Sequence, residues 1–135
     1  MDHCSFKENG GIWPTHCVQN TIGAGIPVEL LKTARNYVVY NKGMLKYTEE
    51  YGAFELTDNL TFNETYNSMF YKNSCLDDVV ICGIAGDYCV LETLKNIVNE
   101  VDSNKVNVYL DGIVSIDGGE KLNNFINANN IKIYK

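Results

Sequence analysis

The stretch Asp78-Val79-Val80-Ile81-Cys82-Gly83-Ile84-Ala85-Gly86-Asp87-Tyr88-Cys89-Val90 decides the fold. From Asp78 to Ile84 it is a continuous apolar, β-branched run, the pattern of a strand buried on both faces. Gly83 to Asp87 supplies a turn, and Tyr88 to Val98 places Val90, Leu94, Ile97 and Val98 at helical spacing. Downstream, Ser103-Asn104 precede a second strand over Asn107–Leu110, and a helix over Glu120–Ala128 turns Leu122, Phe125 and Ile126 inward. Ile131–Tyr134 reads as a last strand. Strand, helix, strand, helix, strand with apolar central strands predicts an α/β fold around a parallel sheet. Upstream the signals are weaker. Pro27 opens a short helix through Val28–Lys32, Tyr37-Val38-Val39-Tyr40 is a β-prone run ending at Lys42-Gly43, and residues 44–76 are mixed and polar.

Composition bounds the function classes. A chain of 135 residues is long enough for one domain with its own core. Hydrophobic residues at 45% and charged residues at 21% are globular values and exclude wholesale disorder. Eleven Lys and Arg against 17 Asp and Glu give a net charge of −6, which argues against nucleic-acid binding, since phosphates demand a basic face. The apolar runs are too short for a membrane span, and the first residues carry no basic start or apolar signal core. The cytoplasm is the expected compartment, with no membrane partner. Cys4, Cys17, Cys75, Cys82 and Cys89 are odd in number and contain no CxxC pair, so reduced thiols are expected.

In open α/β sheets, function sits beyond the carboxyl ends of the strands. Lys42 and Cys89 both fall there. Cys89 follows the apolar run and opens a helix, where backbone amides favour a thiolate and the turn offers N–H groups at Ala85 and Cys89 to an oxyanion. A small buried core cysteine is an equal alternative on position alone. Lys42, taken alone, reads more readily as a solvated surface lysine. His3 and His16 share one loop-rich segment, and neutral imidazole ligates zinc, iron and manganese. Thirteen positions apart is no short metal spacing, so unaided they read as loop histidines satisfied by backbone. Trp13 and Tyr51 offer aromatic surfaces that are more often core than pocket.

Taken together, these segments resemble the nicotinamidase branch of the isochorismatase-like cysteine hydrolases. The resemblance rests on Asp2-His3-Cys4-Ser5-Phe6, on Trp13-Pro14-Thr15-His16-Cys17-Val18 with Thr21 and Gly23-Ala24, and on Asn41-Lys42-Gly43 followed by Tyr51-Gly52-Ala53-Phe54. It is completed by Gly83-Ile84-Ala85-Gly86-Asp87-Tyr88-Cys89-Val90 with Thr93. The resemblance implies a three-layer, Rossmann-like α/β/α fold with a mainly parallel sheet, as one domain over 1–135. It implies hydrolysis of a linear carboxamide such as nicotinamide or pyrazinamide in NAD salvage. Cys89 matches the nucleophile that forms a thioester with loss of ammonia, and Lys42 the lysine that supports the thiolate. The Ala85 and Cys89 amides match the oxyanion hole, and a cis peptide is implied between Ile84 and Ala85. His3 and His16 match two ligands of a divalent metal, zinc first, with iron and manganese as alternatives. Trp13, Tyr51 and Ile84 match the walls of the substrate pocket.

One departure shapes the expectation. Family members begin with a strand carrying an aspartate base, and a later strand end supplies a metal-binding Asp-x-His; neither pattern occurs in this sequence. Asp2 is not assigned as the metal aspartate, and Asp87 matches a structural position. The chain is therefore expected to be N-terminally truncated, to lack the first strand or strands, to leave the metal site incomplete, and to turn over slowly. The alternatives are another cysteine amidohydrolase of the same superfamily and a non-catalytic fragment or subunit. Oligomeric state is left open, a homo-oligomer included.

Overall fold

A computed structural model describes residues 3–35, 37–54 and 78–134 of the chain. Asp2, Cys75 and the rest of the polar stretch from 55 to 77 lie outside the described residues. The chain divides into two compact units, Met1–Glu50 and Tyr51–Lys135.

The first unit is built from turns. A short 3-10 turn over Lys7–Asn9 closes on Gly10, whose φ of 91° suits a residue without Cβ. The chain then doubles back: the Lys7 amide donates to the Trp13 carbonyl at 2.7 Å and the Trp13 amide to the Ser5 carbonyl at 3.0 Å, bridging Phe6 to Trp13. Gly11 is required at the crossing, because a Cβ there would land on the Ser5 backbone. Phe6 is buried and anchors the segment. Helix α1 (Val28–Thr33) begins just after Pro27, as the sequence suggests, and buries none of its residues.

The β-prone run Tyr37–Tyr40 does not become a strand. Tyr37, Val38 and Val39 are 58%, 59% and 47% exposed, and no ladder forms there among the described residues. β-propensity expresses packing against a neighbouring strand, and the described residues of this unit give the run none.

The second unit carries the predicted α/β core. Strands β1 (Val79–Ile84), β2 (Val106–Val114) and β3 (Lys132–Ile133) form a parallel sheet in that order. Helix α2 (Leu91–Val98) connects β1 to β2, and α3 (Glu120–Ala128) connects β2 to β3. Leu91, Leu94 and Ile97 of α2 and Leu122 and Ile126 of α3 recur at helical spacing and are buried. They meet Ile81, Val106 and Val108 in one cluster, with Leu94, Val106 and Val108 fully enclosed. Both helices therefore cover the same face of the sheet.

The strand expected to be buried on both faces is buried on one. Ile81 is enclosed, whereas Val80 and Ile84 are 42% and 74% exposed. Two physical reasons account for this among the described residues: β1 is hydrogen-bonded on one side only, to β2, and the helices lie on the Ile81 side. The pairing also slips near the carboxyl end. Ile81 pairs with Val108, but Gly83 pairs with Ile113, so β2 carries extra residues opposite Cys82. Strand β2 is longer than the sequence suggests, and α3 matches its expected bounds.

Candidate active site

Cys89 lies beyond the carboxyl end of β1, where a parallel sheet places its chemistry. The chain leaves β1 through a cis peptide between Ile84 and Ala85, as the resemblance implied. It then makes a single π-helical turn, Gly86–Val90, before α2 begins. Such turns recur at functional sites because they re-aim side chains within a helix. The Ala85 carbonyl accepts from the amides of Tyr88 (3.2 Å) and Val90 (3.0 Å), which tightens the turn around Cys89. Cys89 is in no disulfide and is half-buried.

The residues beside Cys89 are firmly held. Asp87 is buried, and its carboxylate accepts from the amides of Ile116 (2.8 Å) and Asp117 (3.1 Å) at the far end of β2. With both oxygens engaged, Asp87 is a structural tie and a poor base, as its matched position implied. Asp117 in turn accepts from the amides of Gly119 (2.8 Å) and Lys121 (3.2 Å), fixing the start of α3. Desolvation opposes ionisation of Asp117, but these amides and the Lys121 ammonium outweigh it and hold the carboxyl below its ordinary value. A lowered carboxyl keeps its contribution at neutral pH and loses it only as acid protonates the group, below the usual Asp value of about 3.9.

Tyr51 stands against Tyr88 with ring centroids 5.4 Å apart, next to the Cys89 turn. Its segment is pinned to α2: the Ala53 amide donates to Thr93 Oγ1 at 2.9 Å, and Asn96 Nδ2 donates to the Ala53 carbonyl at 2.8 Å. Thr93 was part of the sequence pattern; Asn96 was not, because nothing in its local sequence marks a partner 43 positions away. A cleft of about 550 Å³ opens in this unit along Tyr51, Tyr88, Lys95, Lys121 and Phe125. Cys89 is not among its lining residues, so the cleft is not assigned to the substrate.

The first unit holds Lys42, His3, His16 and Trp13. Lys42 is half-buried and its Nζ donates to the Glu50 carbonyl at 3.1 Å. Glu50 is buried, and its carboxylate also accepts from the Gly43 amide at 2.6 Å. Glu50 thus grips both residues of the Lys42-Gly43 corner, a role the sequence reading missed. Lys42 is thus tethered at its ammonium and only partly solvated.

His3 and His16 flank one ring. Phe6 lies 5.8 Å from the His3 centroid and 5.5 Å from that of His16. The Ser5 amide donates to His3 Nδ1 at 3.2 Å, so Nδ1 bears the lone pair and Nε2–H donates to the Thr48 carbonyl at 3.0 Å. His16 Nδ1 donates to the Pro14 carbonyl at 2.7 Å, which leaves Nε2 as its lone-pair nitrogen. A ring N–H tied to a carbonyl is the usual outer support of a metal-binding histidine. No cluster of three or more metal-ligating side chains occurs among the described residues. Two imidazoles are half of the four ligands a zinc ion takes. The Ser5 amide and hydroxyl, 3.2 and 2.8 Å from His3 Nδ1, occupy its lone pair and would both have to yield to an ion.

Among the described residues, no helix is long and apolar enough to cross a membrane. No family model matches the chain. Known proteins do. It is 36% identical over 117 residues to the nicotinamidase/pyrazinamidase of Mycobacterium tuberculosis, a match covering 86% of this chain and 60% of that one. The curated relatives it matches are spanned over 36% to 60% of their own length. Among solved structures, PnC1 from L. infantum in complex with nicotinate matches with a TM-score of 0.76 and 27% identity, over 99% of this chain and 66% of that one. The pyrazinamidase of Pyrococcus horikoshii in complex with zinc matches with a TM-score of 0.73 and 31% identity, over 99% of this chain and 69% of that one. A parallel α/β sheet, a cysteine turn past its first described strand and these likenesses agree: the chain belongs to the nicotinamidase–pyrazinamidase family of the isochorismatase-like fold.

Proposed function

We propose that this chain carries the nucleophilic site of a nicotinamidase-type amidohydrolase, turning nicotinamide and water into nicotinate and ammonia. The observation that carries the reading is Cys89 in a π-helical turn at the carboxyl end of β1, in a chain similar to a protein solved with nicotinate. The Cys89 thiolate attacks the carboxamide carbon, and the amides of Ala85 and Cys89 receive the developing oxyanion. The C–N bond breaks, the nitrogen takes a proton and leaves as ammonia, and a thioester remains on Sγ. Water then attacks the thioester, releasing the acid and restoring the thiol. Lys42, held with Gly43 by Glu50, matches by resemblance the family's thiolate-supporting lysine, and Trp13, Tyr51 and Ile84 match its pocket residues.

No aspartate of this sequence is assigned the base. Asp87 is spoken for by two amides, so the 135-residue polypeptide is expected to turn over slowly. His3 and His16 are two ligands of a divalent ion, with zinc favoured by the zinc in the Pyrococcus horikoshii relative. When bound, such an ion supplies Lewis acidity toward a ligand nitrogen. Equilibrium dialysis with zinc checks this part: His3→Ala should weaken binding by about tenfold or more, and unchanged affinity would remove His3 from the ligand set. An odd number of cysteines with no CxxC pair supports a reducing, cytoplasmic setting. Matches running along 99% of the chain support reading 1–135 as one domain, and a homo-oligomer is compatible with the reading.

Alkylation tests the site without requiring turnover. At neutral pH, iodoacetamide should modify Cys89 faster than the exposed Cys17, and millimolar nicotinamide should slow labelling at Cys89 alone. Equal rates at the two thiols, with no protection, would overturn the proposal.

A further inference from the structure

We propose that Asp87 is a positioning residue for Cys89, acting through the connection between β2 and α3. The inference rests on the amidase reading and deepens it. Three observations converge on the turn Gly86–Val90. The Asp87 carboxylate binds the amides of Ile116 and Asp117 at 2.8 and 3.1 Å. Gly86, one residue earlier, lies so close to the end of β2 that an added Cβ would meet the Ser115 hydroxyl and approach Ile113 Cγ2 to 2.7 Å. Tyr88, one residue later, carries the Lys121 ammonium 4.9 Å over its ring, and Lys121 sits in the first turn of α3.

The three contacts form a closed circuit. Asp87 holds residues 116 and 117, Asp117 holds the start of α3, and α3 returns through Lys121 to Tyr88. Cys89 follows directly on this circuit, so the direction of its Sγ and of the amides around it is set from the β2–α3 side. A buried carboxylate with two charge-assisted bonds is stiff, since releasing either amide leaves a desolvated donor unmet.

Electrostatics and positioning predict opposite signs for Asp87→Asn. The substitution removes a negative charge two residues from the thiol, which by charge alone favours the thiolate and raises reactivity. Loss of positioning lowers it. The experiment measures the pH profile of Cys89 alkylation by iodoacetamide on the full chain, beside a thermal melt. Asp87→Asn is expected to slow Cys89 labelling at neutral pH by about tenfold or more, with Cys17 unaffected. Asp117→Ala keeps the backbone amide that Asp87 uses but opens the circuit at the start of α3, so it should lower the melting temperature and slow Cys89 labelling less than Asp87→Asn does. If Asp87→Asn does not fold, Lys121→Met decides, with about a threefold slowing expected from opening the circuit at Tyr88. Labelling unchanged or faster in the folded variant overturns the inference. A parent protein whose Cys89 is no more reactive than Cys17 sinks the amidase reading and this one with it; an activated Cys89 indifferent to Asp87→Asn sinks this one alone.

Discussion

Cys89→Ala is expected to bring the slow amide hydrolysis of this polypeptide down to the buffer blank, the full loss of its thiol-dependent turnover. The reason is chemical. Without Sγ no thioester forms, and water must attack an unactivated amide directly. Cys89→Ser should be nearly as inactive, because a hydroxyl without a strong base is a far poorer nucleophile than a thiolate. Cys89 is half-buried and outside the enclosed core, so both variants should melt close to the parent. Ammonia release, followed with nicotinamide and with pyrazinamide, checks the claim. Hydrolysis surviving in Cys89→Ala would move the nucleophile elsewhere.

The second large effect is structural. Leu94→Ala should cost about 2–5 kcal/mol in denaturant unfolding. Leu94 is fully enclosed between α2 and the sheet, in the same cluster as Val106, Val108 and Leu122. Truncation there leaves a cavity that the surrounding strands are too constrained to fill. Because the same helix continues directly from the Cys89 turn, a loosened α2 should also blunt Cys89 labelling before global unfolding. A loss below about 1 kcal/mol would show that α2 is not part of the cooperative core.

Much of this was legible in the sequence, and the limits are physical. The α2 and α3 helices announced themselves because Leu94, Ile97, Leu122 and Ile126 follow a helical period that only a one-sided burial requires. β1 was legible as a strand, but its two-sided burial was not, since an apolar run does not say which of its faces a helix will cover. Tyr37–Tyr40 misled for a related reason: a strand is a relation between segments, and the run has no ladder partner among the described residues. Cys89 and Lys42 were singled out from position and from the family pattern together. Glu50 was not, because its role is a carboxylate reaching back to Gly43 and a carbonyl receiving Lys42, neither of which has a sequence spacing. The tie from Asp87 to residues 116 and 117 likewise spans 29 and 30 positions and appears only in three dimensions.

Acylation of Cys89 is the step on which the proposed chemistry rests. Peptide mass mapping of the protein, quenched in acid during exposure to saturating nicotinamide, tests it. A nicotinoyl group is expected on the peptide containing Cys89 and on no other cysteine, with at least one ammonia released for each group attached. An unmodified Cys89 under those conditions, or an acyl group on another residue, would contradict it.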